Sequence, residues 1–187
     1  MIAHKAFSPG FVCRGYQFKE HEKNVTDAAN CKKNGFHCAE NPLDCLSYYP
    51  NIHNSVYCIV EIGGDMHEDG SDSKISCTEL TIRKVLSIRD YFFHILLYMA
   101  KNKTDETNFH VKTECATASS GYAIVCGLHP IAKGKIGDIL AFAQKNGFGD
   151  IDMIAVYEID GEILKPDTYY NILGKEVALE HGTLQAV

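Results

Sequence analysis

Short runs of apolar residues, separated by turn-forming residues, open the chain and predict β-strands. Ile2–Phe7 and Phe11–Phe18 have the composition of two strands, and Ser8-Pro9-Gly10 between them is typical of a turn. Val56–Ile62 is apolar at nearly every position, which indicates a central strand that is covered on both faces. Gly63-Gly64 is expected to end that strand.

The pattern predicts two helices. A short strand, Gly35–Cys38, leads into the first helix, where Asn41 is suited to the N-cap and Pro42 to the first helical position. Pro50 is expected to end this helix. In Ile88–Ala100, aromatic and aliphatic residues recur at helical spacing, which predicts the second helix.

The remaining segments favour β structure on either side of a polar stretch, Lys101–Asn108, which is the best candidate for a boundary. We expect a lobe over residues 1–88 and a helix plus a β-rich extension over residues 89–187 packed on it, as two lobes or as one continuous domain. The predicted strands are Glu79–Ile88, Ala116–Gly127, Ile136–Gln144 (strand or short helix), Asp152–Ile159 and Glu162–Leu164 around a hairpin turn at Asp160-Gly161, and Tyr169–Leu173.

The composition is that of an ordinary globular protein with a mildly acidic charge. Of 187 residues, 45% are hydrophobic and 22% are charged, which is enough apolar material for a sizeable core. The net charge of −6 argues against general binding to nucleic acid, whose phosphates require clustered Lys and Arg. No apolar run reaches the ~20 residues that a membrane helix needs, so we expect no membrane partner.

The chain has eight cysteines, which we expect to be reduced. Its first five residues do not have the pattern of a signal peptide, so we expect a soluble, cytoplasmic protein. No Cys-x-x-Cys pair is present, and Cys38 and Cys45 fall on a predicted strand and a predicted helix. A zinc site from Cys31, His37, Cys38 and Cys45 is conceivable, but this placement favours the absence of a metal site.

Residues 35–49 concentrate the chemistry of the chain. This run places His37 on a short strand and Tyr48 at the far end of the helix that follows. Upstream, the alternation of a strand puts Arg14 on one face with the apolar residues two positions away on either side. Arginine can hold a phosphate through two hydrogen bonds, and tyrosine or histidine can stack on a flat ring. The same side chains would also fit a structural role in the core or on a solvated strand.

The strand and helix of this run resemble a segment of ADP-ribosyltransferases of the poly(ADP-ribose) polymerase type. Gly35, Ala39 and Tyr48 match the family's pattern of Gly-x-Tyr-Phe-Ala followed by Ala-x-Tyr, without a gap. Tyr57–Met66 resembles the next strand of the family, and Cys13-Arg14-Gly15 resembles the Arg-Gly or His-Gly of its first core strand. In those enzymes that side chain holds the adenosine ribose or a phosphate of NAD.

The resemblance implies an α+β fold with a mostly antiparallel sheet and two main helices. It would consist of an ADP-ribosyltransferase-like core and a β-rich C-terminal extension. Active members need a late glutamate that stabilises the charge of the transition state. Its matching place falls at Ser71–Lys74, which contains no glutamate. Glu79 and Asp72 are the candidate catalytic carboxylates, so enzymatic activity stays open and binding is favoured over transfer.

The chain also resembles uncharacterised phage and prophage proteins. Four motifs from both halves of the chain carry this resemblance: Cys13–Gln17, Gly35–His37, Asn41–Asp44 and Lys165–Thr168. The resemblance implies that the protein acts in the cytoplasm of a bacterial host, and it transfers no known activity.

These patterns lead to one hypothesis and two alternatives. The leading hypothesis is an accessory protein that binds an NAD-derived or cyclic nucleotide and sequesters a host immune signal, with no required cofactor. The first alternative is an active mono-ADP-ribosyltransferase that uses NAD to modify a host target. The second is a protein–protein interaction module with a host protein as its partner. The candidate ligand-binding residues are Arg14, Gly15, Tyr16, Gln17, Phe36, His37, Asn41 and Tyr48.

Overall fold

The chain forms two compact units, Met1–Tyr91 and Phe92–Val187. We describe them from a computed structural model, which covers residues 1–31, 33–68, 70, 72–102, 108–180 and 183–186. The polar stretch predicted as a boundary, Lys101–Asn108, lies partly outside the described residues. Ser71 also lies outside them; it begins the segment Ser71–Lys74, which corresponds to the position of the catalytic glutamate in the ADP-ribosyltransferases.

The first unit consists mainly of strands, with one short helix and the start of a longer one. The short helix α1 is Pro42–Tyr48, a single 3-10 turn follows at Ile52–Asn54, and α2 is Ile88–Lys101, which continues into the second unit. The strands are β1 (Ile2–Phe7), β2 (Val12–Cys13), β3 (Tyr16–Gln17), β4 (Lys23–Val25), β5 (Phe36–Ala39), β6 (Val56–Glu68) and β7 (Lys74–Val85).

The main sheet of the first unit closes on itself. β1 pairs with β5 and with β6, and β7 pairs with both β5 and β6, so the four strands form a ring of antiparallel neighbours. β4 pairs with β7 outside this ring. One apolar cluster joins these strands and includes the fully buried Phe7, Val60, Leu80 and Ile82. Burial of each such side chain contributes about 1.5–3 kcal/mol to the stability of the unit.

β6 does not end at Gly63-Gly64, contrary to the prediction. It continues to Glu68, and its register against β7 shifts between Gly63 and Met66. Gly64 has φ of +70°, and a Cβ atom there would lie 2.1 Å from the Thr78 side-chain oxygen. The glycine is needed for the close approach of the two strands, so it makes a bulge rather than a break.

The local signals that predicted α1 are confirmed. The Asn41 side chain accepts a hydrogen bond from the backbone N–H of Leu43 at 3.0 Å, and Pro42 occupies the first helical position. α1 ends at Tyr48, before Pro50. The helix predicted from Ile88 is also confirmed, as α2. Within the described residues, no helix has the length and apolar character needed to cross a membrane.

The second unit is centred on one long, bent strand. β9 pairs with β8 and β10 in parallel and with β12 in antiparallel, while β10 pairs with β11 in antiparallel. Ala118 N–H donates to Lys133 O and Ser119 N–H donates to Tyr122 O, so both ends of β9 come near the same short connection. The strands are β8 (Val111–Thr117), β9 (Tyr122–Lys133), β10 (Ile139–Lys145), β11 (Ile151–Glu158), β12 (Tyr170–Asn171), β13 (Val177–Glu180) and β14 (Thr183–Ala186).

The predicted fold class is wrong. The chain is 51% strand and 14% helix and is divided among several sheets, so it is mostly β rather than an α+β fold with an ADP-ribosyltransferase-like core. The decisive difference is β7, which is 12 residues long and pairs with three neighbours. The predicted strand, Glu79–Ile88, covers only the second half of β7 and the first residue of α2.

Three further predictions about strands are wrong. Ala116–Gly127 is not one strand, because it spans the end of β8, a short connection and the start of β9. Phe11–Phe18 is not one strand, because a tight turn at Arg14-Gly15 divides it into β2 and β3. Glu162–Leu164 is not a strand, because the Asp160 side chain accepts hydrogen bonds from the backbone N–H groups of all three residues and folds them into a loop. This use of an aspartate competes with the two-residue hairpin that Asp-Gly favours.

Candidate functional site

The first unit contains a cavity of about 520 Å³ that four parts of the chain enclose: β1, the end of β2 with its turn, β5 with α1, and the start of β7. Three cationic side chains line it, Lys5, Arg14 and Lys74, together with a single carboxylate, Asp44, among the described residues. We call it the cationic cavity. His37 and Tyr48, both predicted for a binding site, line the same cavity.

Arg14 is held at the tip of a hairpin rather than on a flat strand. Cys13 pairs with Tyr16, and the two residues between them, Arg14 and Gly15, have φ of +50° and +80°. Such a pair of positive angles is typical of a type I′ turn, in which arginine is unusual because its Cβ is crowded. The prediction that Arg14 shares a strand face with its neighbours is therefore wrong. No described residue forms a hydrogen bond or ion pair with its guanidinium.

Lys5 is the most deeply buried cation of the cavity. Its side chain points inward from β1, with the residue only 3% exposed, and its ammonium donates to His37 O at 2.6 Å and approaches Cys13 Sγ at 3.6 Å. The ammonium also lies 5.0 Å from the centre of the Phe7 ring. No carboxylate of the described residues lies within ion-pair distance of Lys5. A buried charge without a counter-charge costs stability, so its presence calls for an explanation.

Lys74 belongs to a small network with Tyr48 and Asp72. Its ammonium donates to the Tyr48 hydroxyl at 2.6 Å and lies 3.5 Å from the Asp72 carboxylate, which also accepts from Tyr48 at 2.8 Å. Burial alone would lower the pKa of Lys74, but the hydrogen bond to Tyr48 and the charge of Asp72 outweigh it and raise that pKa. Lys74 is therefore a permanent cation.

The pKa of His37 is sensitive to the positive charges of the cavity. Burial lowers the pKa of this imidazole most, and the charges of Arg14, Lys5 and Lys74 lower it further, to about 4. The ring is therefore neutral at pH 7. All three cations are close enough to disfavour another positive charge, and they would favour a negative one for the same reason.

Two half-buried groups complete the wall. The Tyr49 hydroxyl donates to Cys13 Sγ at 3.2 Å, and both residues line the cavity. Burial and the neighbouring Cys13 raise the pKa of Tyr49, so this hydroxyl stays protonated. The backbone carbonyl of Tyr49 accepts from the Tyr57 hydroxyl, which fixes the end of α1 against β6.

Five of the predicted ligand-binding residues lie outside the described lining of the cavity and have structural positions. Phe36 is buried in the core, and the Tyr16 ring packs against it at 4.8 Å. The Gln17 side chain donates to Gly10 O, which closes the loop before β2. Asn41 caps α1, and Gly15 completes the turn beside Arg14.

The two candidate catalytic carboxylates lie in different places. Glu79 pairs with Lys23 at 2.8 Å across β4 and β7 and is not among the described lining residues. Asp72 is bound by Tyr48 and Lys74. Burial acts to raise the pKa of Asp72, but the hydrogen bonds from Tyr48 and Lys74 together with the Lys74 charge outweigh it and lower that pKa. Asp72 is therefore an anion that neutralises Lys74.

A family model described as a domain of unknown function, DUF7666, matches residues 1–94. The chain belongs to this family. The DUF7666 match covers the whole first unit and every described residue that lines the cationic cavity. A comparison with curated proteins gave no match. A comparison with solved structures gave none either.

Sequence reasoning missed several residues of the DUF7666 cavity: Lys5, Asp44, Lys74, and the pair Cys13 and Tyr49. A signal for Lys5 was present. Ala3, Lys5 and Phe7 fall on one face of a strand, and a lysine between two core positions is unusual. No comparable signal was available for Lys74, because β7 begins before the segment that its pattern marks as a strand.

The second unit has a cavity of a different kind, of about 410 Å³. Its apolar lining includes Ile131, Met153, Ile172 and Leu173, and its polar lining includes His129, Gln144 and Asn171. None of the described residues that line it is Lys, Arg, Asp or Glu. We call it the second cavity.

Proposed function

We propose that the cationic cavity binds a small anionic nucleotide, either NAD-derived or cyclic. The observation that carries the proposal is the set of three cations, Lys5, Arg14 and Lys74, around a space that contains one carboxylate among its described residues. The whole chain has a net charge of −6, so this local excess of positive charge runs against its overall balance. A phosphate would supply the counter-charge that the buried Lys5 lacks.

The size and the other groups of the cavity also support a nucleotide. A volume of about 520 Å³ lies within the range of small-molecule sites, which is about 300–1,000 Å³. Tyr48 is 53% exposed and His37 is half-buried, so both offer ring surface to a flat base. Arg14 is held in a strained turn with no described partner, as expected for a side chain positioned to meet a ligand.

We extend the proposal to a biological role. In this view the protein is a phage or prophage accessory protein that sequesters a nucleotide signal in the cytoplasm of its bacterial host. Its support is the set of sequence motifs at Cys13–Gln17, Gly35–His37, Asn41–Asp44 and Lys165–Thr168. Sequestration requires binding without turnover, so the nucleotide should be recovered unchanged.

Calorimetric titration of the purified chain with NAD, ADP-ribose and 3′,5′-cyclic AMP tests the proposal. At least one of them is expected to bind, and Arg14→Ala should weaken that binding about tenfold to a hundredfold, because a hydrogen bond between charged groups is lost. Arg83→Ala is the matched control, since Arg83 pairs with Glu61 at the surface of β6 and β7. Chromatography of the ligand after incubation separates binding from transfer.

The proposal fails if none of the three nucleotides binds the wild-type protein. It also fails if Arg14→Ala and Arg83→Ala weaken binding equally, because the ligand would then respond to overall charge rather than to the cavity. Release of nicotinamide from NAD would replace sequestration with catalysis and leave the binding site in place.

A further inference from the structure

The cationic cavity contains one group that the binding of an anion does not explain. Asp44 lines the same space as Lys5, Arg14 and Lys74. A carboxylate repels a phosphate, and an anion site would be stronger without it. Asp44 must therefore serve the fold, the ligand, or both.

Only one oxygen of the carboxylate serves the fold. Asp44 Oδ2 accepts hydrogen bonds from the backbone N–H of Ser73 at 3.0 Å and from the Ser73 hydroxyl at 2.7 Å. These two bonds tie α1 to the start of β7. No described residue donates to Oδ1, so this oxygen keeps its capacity to accept a hydrogen bond.

The position of Asp44 is well determined by its neighbours. Cys45, the next residue of α1, is 5% exposed, and the Ser73 hydroxyl also accepts from the backbone N–H of Asn41 at 2.9 Å. Lys5 and Asp44 line the same cavity, so a ligand held by Lys5 would share this space with the Asp44 carboxylate.

We infer that Asp44 Oδ1 accepts a hydrogen bond from a ribose hydroxyl of the ligand. The cavity would then bind ribonucleotides more tightly than nucleotides without those hydroxyls. This inference rests on the proposed function. Ribose hydroxyls are hydrogen-bond donors close to the phosphates of a nucleotide. A phosphate held by the cations of the cavity would therefore place such a donor near the carboxylate oxygen of Asp44. The amino group of a base is the competing donor, but it lies across the sugar from the phosphate.

Calorimetric titration with four probes tests the inference without any mutation: AMP, 2′,3′-dideoxy-AMP, IMP and ADP-ribose. The wild-type protein should bind AMP about tenfold or more tightly than 2′,3′-dideoxy-AMP, because a charge-assisted hydrogen bond is lost. AMP and IMP should bind equally. Asp44→Asn should remove the preference for AMP and bind 2′,3′-dideoxy-AMP at least as tightly as the wild type, since a negative charge is gone.

Ser73→Ala is the matched control for the structural role of Asp44. It removes the hydroxyl that binds Oδ2 and leaves the carboxylate in place, so the preference for ribose should survive. Equal binding of AMP and 2′,3′-dideoxy-AMP by the wild type would overturn the inference, and so would a preference for AMP over IMP. In both cases the proposed function would stand. If none of the four probes binds, this inference fails. Binding of NAD or 3′,5′-cyclic AMP would then keep the proposed function, and failure of those two as well would overturn both.

Discussion

Two described cavities, one in each unit, are similar in size and differ in their charged residues. The cationic cavity of the first unit has about 520 Å³ and three cations, whereas the second cavity has about 410 Å³ and no Lys, Arg, Asp or Glu among its described lining residues. Volume therefore does not distinguish them. The difference lies in Lys5 and Lys74, whose residues are only 3% and 8% exposed.

A buried cation lowers the stability of the fold unless a counter-charge lies close to it. Asp72 balances Lys74, but no described carboxylate balances Lys5. The described lining of the second cavity contains no Lys, Arg, Asp or Glu and combines apolar side chains with His129, Gln144 and Asn171. The cationic cavity therefore retains a buried cation, Lys5, that lowers the stability of the fold. An anionic ligand would supply its counter-charge and make the same cation stabilising.

The largest expected effect comes from Lys5→Met, which removes the charge and keeps the length of the side chain. We expect nucleotide affinity to fall about tenfold to a hundredfold, because the loss is that of a charge-assisted hydrogen bond. We expect the free energy of unfolding to stay the same or to rise, since an apolar group replaces an unbalanced buried charge. Calorimetric titration and denaturant unfolding measure the two quantities.

Lys133→Met in the second unit is the matched control for this change. Lys133 lies over the Tyr169 ring at 4.8 Å, away from the first unit in sequence. It should leave nucleotide binding unchanged. Equal losses from both variants would contradict the contrast between the units, and a strong loss of stability in Lys5→Met alone would make Lys5 a structural residue.

The next effect concerns two cysteines, one in each unit. Cys13 is half-buried at the cationic cavity and Cys115 is exposed on β8, while the other six are buried. Iodoacetamide should therefore modify Cys13 and Cys115 before the rest. A bound nucleotide at ten times its Kd should slow the modification of Cys13 about tenfold and leave Cys115 unchanged. Peptide mass spectrometry follows both rates in one sample, and equal protection would show that the ligand acts elsewhere.

The last effect is the pH dependence of stability that His37 imposes. Its pKa is about 4 in the folded protein, through burial and then the charges of Arg14, Lys5 and Lys74, against 6.5 in the unfolded chain. Between these values the unfolded chain binds more protons, so stability should fall as the pH is lowered from about 6.5 to 4. His37→Gln should flatten this part of the profile, as measured by denaturant unfolding at several pH values.

Titration of the His37 ring by NMR adds a direct check of the same idea. Arg14→Ala should raise the pKa of His37 because one of the cations is lost, and a bound nucleotide should raise it by neutralising them. A pKa of His37 near 6.5 in the unliganded wild type would contradict the claim that the three cations act strongly inside the cationic cavity.

The sequence predicts what local interactions determine. The start of α1 follows from Asn41 and Pro42, whose effects reach only a few residues, and α2 follows from its apolar period. The closed sheet was not predicted, because it depends on pairings such as Ile2 with Glu61 that no local pattern contains. The length of β7 was missed because its first half follows a polar stretch.

The candidate site was predicted in part. Arg14, His37 and Tyr48 do line one cavity, although Arg14 reaches it from a turn, where Asn-Gly or Asp-Gly is the usual signal and Arg-Gly is not. Lys5 was missed because a single lysine in a short strand normally lies in solvent, although its place between the core positions Ala3 and Phe7 was a signal of burial. The pairing of β1 inside the closed sheet accounts for that burial.

Folding of the first unit is complete only when distant parts of the chain have met. Lys5 on β1 and Lys74 at the start of β7 line one space, which a partly folded chain would lack. A ligand can therefore bind only after the sheet has closed, and it should slow unfolding while leaving the rate of refolding nearly unchanged. The lifetime of the folded chain, rather than the speed at which it forms, is what the ligand would control.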